Sequence, residues 1–267
     1  MGKDIAKLLA EWPFGAGGNV RRVTGDDGRE KIQIRVCLDT FHGLLQFECD
    51  GRPDGKRPQG KEFFLDRLEE KMRQFVATGG DAGKFRLTHA QCRKLFDESS
   101  QIYHRYVVLL QLGDFDRVIR DTARNMRLFR FVNRHAMHAS DREHLECWWP
   151  YILRIHYTAV TMQHLSAGRL EAGLDSIKTC RDRLRELIPQ DNDVFKNEMK
   201  RSLEALDQME KEVCERLPLT ELEQLEKEKS QAIREQRYED AARLRDRIRT
   251  LKSGGTAGAD GTGGERI

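Results

Sequence analysis

The stretch "LTHAQCRKLFDESSQIYHRYVVLLQLGDFDRVIRDTARNMRLFRFV", residues 87–132, decides the fold class of this chain. It contains no proline, and leucine and arginine, which favour helices, recur along it. Gly113 interrupts the stretch and predicts a tight turn. The stretch therefore predicts two helices joined at Gly113, within a mainly α protein.

A second stretch, "CWWPYILRIHYTAVTMQHLSAGRLEAGLDSIKTCRDRLREL" (residues 147–187), has the same form with its break at Gly168. Aligning the two glycines places Phe115 against Leu170, so an apolar residue follows each turn by two positions. This form resembles the tetratricopeptide (TPR) helical hairpin, in which small residues let the helices approach closely. The glycines lie 55 residues apart (168 − 113), beyond the roughly 34-residue TPR repeat. We expect TPR-like hairpins separated by longer helices, whose stacking would leave a groove for a partner; a plain helical bundle is the alternative.

Residues 31–49 form the one convincing β pattern. "KIQIRVCL" and "GLLQFECDG" each alternate apolar and polar positions, which is typical of strands with one apolar face. The intervening "DTFHG" predicts a turn, so we expect a β-hairpin. The residues of the apolar face are Ile32, Ile34, Val36, Leu38, Leu45, Phe47 and Cys49.

The loop "DGRPDGKRPQG", residues 50–60, follows the β pattern and is dense in glycine and proline. We expect Arg52, Lys56 and Arg57 to be exposed on it. A solvated basic loop is the simpler interpretation, and an anion site is the alternative.

Composition limits the classes of protein that this chain fits. Its 267 residues allow one large domain or two smaller ones, and Lys+Arg (47) nearly balance Asp+Glu (44). The net charge of +3 supplies no global attraction toward nucleic acid.

The cellular compartment is inferred from the signals that the sequence does not contain. No apolar run approaches the roughly 20 residues that span a bilayer, and the N-terminal residues do not resemble a secretory signal. The six cysteines are scattered without a C-x-x-C pair, so we expect reduced, mostly buried thiols and a cytoplasmic protein. They are Cys37, Cys49, Cys92, Cys147, Cys180 and Cys214.

The segment "PLTELEQLEKEKSQAIREQRYEDAARLRDRIRTLK", residues 218–252, carries the most specific pattern. Thr220 and Glu223 have the spacing of a capping box, which predicts a helix start. Two apolar stripes separated by a short "EQR" turn predict an antiparallel helical hairpin, with Tyr238 covering the turn end. The stripes are Leu222, Leu225, Ala232 and Ile233 in the first helix, and Ala241, Leu244, Ile248 and Leu251 in the second.

A hairpin of this size has too small a core to be strongly stable alone, so we expect it to lie against another surface. Charges of both signs cover the rest of it, and such charges suit partner choice more than raw affinity.

The segment resembles the UVR motif of the excinuclease subunits UvrB and UvrC, which also occurs in Clp-type chaperone ATPases and in the activator of protein arginine kinase. That resemblance implies a helical hairpin that mediates protein–protein contact, without cofactor, and interface residues at Tyr238, Glu239, Ala242, Arg245 and Asp246. Intramolecular packing and solvated salt bridges are the alternative roles of these five. The residues that carry the resemblance are Leu225, Glu226, Ala232, Tyr238, Glu239, Ala241, Ala242, Leu244, Arg245, Asp246, Ile248 and Leu251.

The rest of the chain departs from those relatives. It contains no phosphate-binding G-x-x-x-x-G-K-[ST] loop and no paired C-x-x-C zinc knuckles. The body is instead similar to bacterial proteins of uncharacterised type that end in a UVR motif.

Two further patterns invite chemical hypotheses. His135, His138, His144 and Cys147 have a spacing that would suit zinc, although histidine at a helix end is more commonly solvated. We expect no metal site there. Arginines interleave with apolar residues in "RNMRLFRFVNRH", which would suit nucleic acid but more simply describes one basic and one apolar helix face. These arginines are Arg124, Arg127, Arg130 and Arg134.

The sequence thus predicts four regions: an N-terminal segment with the β-hairpin and basic loop (1–60), a helical TPR-like body (61–216), a UVR hairpin (217–252) and a disordered Gly-rich tail (253–267). No nucleophile–base pair stands out, so we expect no enzyme. The expected function is that of an adaptor docking through the hairpin on a UvrB/UvrC-like, Clp-type or identical partner. The alternative is an accessory factor of nucleotide-excision repair that contacts UvrB or UvrC and DNA.

Overall fold

A computed structural model describes residues 5–15, 18–39, 41–217 and 221–254. Within them the protein is mainly helical, with a small antiparallel sheet near the N-terminus, as the sequence predicts. Short 3-10 turns lie at Pro58–Gly60 and Ala82–Lys84. The described helices are α1 (Ala6–Glu11), α2 (Phe64–Ala77), α3 (His89–Gln111), α4 (Phe115–His135), α5 (Ala139–Glu146), α6 (Trp149–Ser166), α7 (Leu170–Arg185), α8 (Asp193–Cys214), α9 (Glu221–Arg234) and α10 (Tyr238–Gly254).

The sheet has three strands, β1 (Val20–Thr24), β2 (Glu30–Leu38) and β3 (Phe41–Glu48), in the order β1-β2-β3. The predicted hairpin is β2–β3, with Ile32 opposite Phe47 in the antiparallel register. Strand β1 was not predicted, because its sequence "VRRVT" is too short to show an alternating pattern.

The apolar face of the hairpin is only partly buried. Ile32 and Cys49 are fully enclosed, whereas Leu38 and Leu45 are exposed. The predicted apolar face is therefore covered near Ile32 and Cys49 and open to solvent at Leu38 and Leu45. Strand β3 also begins at Phe41, inside the predicted "DTFHG" turn, and Thr40 of that turn lies outside the described residues.

The first helical hairpin turns at Gly113, as predicted. This residue has φ of 68°, a conformation that glycine adopts without steric cost. The N–H of Asp114 donates to the carbonyl of Leu109 at 2.9 Å, and that of Gly113 donates to Leu110 at 3.1 Å. These two bonds form a Schellman motif that ends α3, and the Asp114 carboxylate then caps α4 through the N–H of Arg117.

The second hairpin, α6–α7, repeats this turn at Gly168 (φ 72°). The N–H of Arg169 donates to the His164 carbonyl at 2.9 Å. Gly173, three residues into α7, lies so close to α6 that an added Cβ would approach Leu165 Cδ2 at 3.0 Å. A larger residue at this position would require the end of the Leu165 side chain to shift.

Two apolar clusters hold the helical body and the sheet together. The larger lies among helices α2 to α8 and includes Leu65, Leu95, Leu128, Ile177 and Leu206. The smaller joins the sheet to the first hairpin and to α6, and includes Ile32, Cys49, Ile102, Leu109 and Val118.

The loop of residues 50–60 is anchored to the helices by buried charges. Glu98, fully buried on α3, accepts bonds from Arg52 at 2.9 Å and from Arg124 at 3.0 Å. The same carboxylate accepts the backbone N–H groups of Phe64 and Leu65 at the start of α2. Arg52 is therefore an internal ion-pair partner, and the expectation that it is exposed is wrong.

Lys56 and Arg57 are exposed on this loop, as expected. The exposed basic charge of the loop is therefore carried by Lys56 and Arg57.

The chain divides into two compact units, Met1–Val213 and Cys214–Ile267. Four of the six cysteines are buried, Cys37 is intermediate and Cys214 is exposed. No helix in the described ranges is long and apolar enough to cross a membrane.

Candidate partner-binding surface

Helices α9 and α10 pair as a hairpin through a three-residue connection. The N–H of Arg237 donates to the Ala232 carbonyl at 2.8 Å, and that of Gln236 donates to Ile233 at 3.1 Å. This is the Schellman motif of the two earlier turns, but Gln236 occupies the left-handed position at φ 58°. The hairpin turn therefore stores strain that a glycine would not.

A narrow apolar seam joins the two helices. Leu225 and Ala232 of α9 and Ala241 and Ile248 of α10 are each at most 8% exposed. The predicted stripes extend beyond this seam, because Ile233 is 49% and Leu251 39% exposed. The expectation that both belong to the packed stripes is wrong, since short two-helix packing covers only the residues that face the partner helix directly.

Among the described side chains, two ion pairs cross between the helices. Arg247 contacts Glu221 at 2.8 Å, and Lys252 contacts Glu226 at 2.9 Å. All four side chains are largely exposed, so these pairs guide the alignment of the helices more than they stabilise them.

Part of the predicted helix start cannot be placed. Thr220, the proposed capping residue, lies outside the described residues, as does the side chain of Glu223. The predicted tail falls there too, from residue 255 onward, while residues 253–254 belong to α10.

The five predicted interface residues are all exposed on α10. Tyr238, Ala242, Arg245 and Asp246 follow the i, i+4, i+7, i+8 spacing of one helix face, and Glu239 lies beside it. This face, called here the α10 outer face, differs from the seam that packs on α9. Its members have no part in the hairpin core, so the structure leaves them free for another contact.

Tyr238 lies at the start of the α10 outer face and is 67% exposed. The expectation that it covers the turn end of the hairpin is therefore wrong. An aromatic ring presented to solvent is unfavourable in isolation and suits an interface.

The charges around the α10 outer face are mixed. Arg245 pairs with Asp246 at 3.1 Å, and Arg237 pairs with Glu235 at 2.7 Å and with Asp240 at 2.9 Å. Hydrogen bonds from Gln231 and Arg237 lower the pKa of the Glu235 carboxyl. Residue-level reasoning missed Arg249, which is exposed four positions after Arg245 and continues the same face.

The histidine and cysteine pattern does not assemble into a site. His135 is buried with Nδ1 3.3 Å from the Phe85 carbonyl, and burial lowers its pKa. The His144 ring stacks on Phe96 at 4.3 Å, while His138 faces the His89 ring. Among the described residues no group of three His, Cys, Asp or Glu side chains is arranged to hold a metal ion.

Of the arginines of α4 named above, Arg124 is buried, whereas Arg127, Arg130 and Arg134 are exposed. The Arg124 guanidinium lies 3.3 Å from the centre of the Phe63 ring and is 9% exposed. Arg127 pairs with Asp66 at 2.6 Å, and Arg130 lies over the Trp149 ring. Arg124 thus cannot belong to a basic surface, and the idea of a nucleic-acid face built on Arg124, Arg127 and Arg130 needs this correction.

Comparison with known proteins identifies the hairpin alone. A family model described as the UvrB/uvrC motif matches residues 220–254, which bracket α9 and α10 closely. This motif is a protein-interaction module of UvrB/UvrC-type proteins. No curated protein and no solved structure matches the chain.

Proposed function

We propose that the protein is a non-enzymatic cytoplasmic adaptor that docks on a partner protein through the α10 outer face. The observation that supports this most directly is the coincidence of the UvrB/uvrC motif with a hairpin whose predicted interface residues are all exposed. The helical body, with its two glycine-turn hairpins, would bind a second protein in the manner of a TPR-like scaffold.

The energetics of the hairpin favour docking. Its seam encloses few large side chains, and Tyr238 on the α10 outer face remains 67% exposed. Burying such side chains against a partner releases about 25 cal/mol for each Å² of apolar surface. A partner would therefore stabilise the hairpin as well as being recognised by it.

The exposed charges supply specificity. Arg245, Asp246 and Glu239 place both signs within two turns of the helix, so a partner surface must offer a complementary pattern. Rim charges of this kind change association rates and salt dependence more than they change affinity.

A matched pair of charge reversals tests the proposal in the full chain. Arg245→Glu alters the α10 outer face, whereas Arg243→Glu makes the same change on another exposed face of the same helix. Proteins that co-purify with the unaltered chain should be lost with Arg245→Glu and retained with Arg243→Glu. Equal recovery with both variants would contradict docking through this face.

The Arg245→Glu variant also tests whether the partner is a second copy of the chain. Sedimentation of the purified chain should show a concentration-dependent dimer, abolished by Arg245→Glu, if the partner is a second copy. A monomer at all concentrations, together with Arg245-dependent capture of another protein, identifies a heterologous partner.

The second candidate function is an accessory role in nucleotide-excision repair. It is favoured by the description of the matching motif, which is that of UvrB and UvrC. Direct titration of the chain with purified UvrB and UvrC tests this role, and absence of binding to both would exclude it. DNA contact finds less support, because Arg124 and Arg127 already have acidic partners.

A further inference from the structure

A cavity of about 630 Å³ lies within the helical body. Helices α3, α4, α5, α6 and α8 all contribute to it, and its volume falls in the range typical of small-molecule sites. Aromatic side chains dominate its walls. They are Phe96, Tyr103, Tyr106, Phe129, Trp148 and Tyr151.

Three of these aromatic rings form a connected group that reaches the surface. The Tyr103 ring centre lies 5.8 Å from that of Tyr151, which in turn lies 6.3 Å from Trp148. Tyr103 is 39% and Trp148 41% exposed, so the group reaches from solvent into the body. Such walls accept a flat ligand, because aromatic faces stack on any planar π system.

A buried amide supplies the polar element of the cavity. Asn125 lines it, is 1% exposed, and donates from Nδ2 to the Ser99 carbonyl at 3.0 Å. Its Oδ1 has no hydrogen-bond partner among the described residues. The Ser99 carbonyl requires a donor, which determines the orientation of the amide and leaves its buried oxygen as an acceptor without a partner.

The charged groups at the cavity are already paired with one another. Glu198 lines the cavity and pairs with Arg154 at 2.9 Å and with Arg201 at 3.0 Å. Burial also raises the pKa of Tyr151, so this hydroxyl stays neutral. A ligand that carried a net charge would therefore lose hydration without gaining an unpaired counter-charge.

We propose that this cavity binds a neutral nitrogen heterocycle of the nucleobase class, as a base or nucleoside. The flat ring would stack on the exposed side of Tyr103 or of Trp148, and one of its N–H groups would donate to Asn125 Oδ1 once the side chains that cover this oxygen move aside. A hydrocarbon ring would leave this buried acceptor without a partner, which is costly. The site is formed by other residues than the α10 outer face and does not depend on the proposed adaptor role.

The first test uses ligands. Calorimetric titration of the full chain with adenosine, guanosine, cytidine and uridine should detect saturable binding of at least one. When adenosine binds, N6,N6-dimethyladenosine, which lacks N–H donors on its base, should bind at least about 10-fold more weakly. If a different nucleoside binds, the comparison uses the analogue of that nucleoside in which every N–H group of the base is methylated.

The second test uses variants with a matched control. Trp148→Ala removes a stacking wall and should weaken binding about 10-fold. Ser100→Trp, a change at an exposed position of the cavity lining, should block entry. Phe41→Ala removes an exposed aromatic ring from the sheet and should leave binding unchanged.

Three results would overturn the proposal. The first is that no nucleoside binds, and the second is that the methylated analogue binds as tightly as the parent nucleoside. The third is that only naphthalene binds, which would indicate an apolar pocket, or that only N-acetyl-tryptophanamide binds, which would indicate a peptide site. Circular dichroism establishes that each variant is folded, and Tyr103→Ala replaces Trp148→Ala if that variant is not.

Discussion

Arg105 and Asp121 form a bidentate ion pair between α3 and α4 that is almost completely shielded from solvent. Nε of Arg105 lies 2.6 Å from Oδ2 of Asp121, and Nη2 lies 2.8 Å from Oδ1. The remaining Nη1 donates to the carbonyls of Glu48 and Gly51, at 3.1 and 2.6 Å. One guanidinium thereby joins both helices of the first hairpin to the end of β3 and to the loop after it.

Removal of one partner of this pair should be strongly destabilising. Arg105→Met leaves the buried Asp121 carboxylate with only the partly exposed Arg120, 3.0 Å away, as a counter-charge, and should lower the free energy of unfolding by about 3 kcal/mol in urea titrations. The control is Arg183→Met, which breaks an exposed pair with Glu186 and should cost less than about 1 kcal/mol. The double variant Arg105→Met/Asp121→Leu should recover part of the loss, and simple additivity would contradict the coupling.

The turn between α9 and α10 offers an opportunity to stabilise the hairpin. Gln236 has φ of 58°, so Gln236→Gly removes left-handed strain and should stabilise the hairpin by up to about 1 kcal/mol. Hydrogen exchange of the α9 and α10 amides measures this change. The reciprocal variant, Gly168→Gln, should destabilise α6–α7, although an added Cβ there meets nothing within 4 Å. If Gln236→Gly and Gly168→Gln both stabilised, or both destabilised, their hairpins, backbone strain would be ruled out as the cause.

Asp50 should make the loop sensitive to acid. Hydrogen bonds from Arg117, with help from Arg120, lower its pKa to about 2 from 3.8. A carboxyl with a depressed pKa in the folded state stabilises the protein above about pH 4, and that contribution disappears as the pH falls through about 2. The stability difference between the wild type and Asp50→Asn should therefore be constant from pH 7 to 5 and shrink between pH 4 and 2.

Urea midpoints at each pH measure the Asp50 difference. The matched control is Asp97→Asn, the same change at an exposed aspartate that lies on α3. A difference that persists at pH 2 would show that the Asp50 carboxylate charge is not responsible.

Cysteine labelling should separate the six thiols by burial. Burial raises the pKa of Cys92 and of Cys180 to about 12, so neither forms the reactive thiolate near neutral pH. Cys214 is exposed and should react first with iodoacetamide, followed by Cys37. Mass spectrometry of peptides from the native protein measures the order, and a denatured sample provides the control. Early labelling of Cys92 or Cys180 would contradict the packing of the helical body.

Features that depend on neighbouring residues were predictable from the sequence. The helix breaks at Gly113 and Gly168 lie where expected, because a left-handed turn position is a local requirement that glycine meets. The β2–β3 pairing and the α9–α10 hairpin were likewise predicted from alternation and from helical periodicity. The candidate interface residues on α10 came instead from the resemblance to the UVR motif, and helical periodicity explains only why they share one exposed face.

Only the tertiary structure decided which charges are internal. Arg52, Arg105 and Arg124 look like surface arginines in the sequence, yet their partners Glu98 and Asp121 are 16 to 46 positions away. The cavity around Asn125 is also formed by five helices that are separate in the chain. Backbone preference is encoded within a few residues, whereas the burial of a charge or an amide depends on which distant segments pack against it, and local patterns do not carry that information.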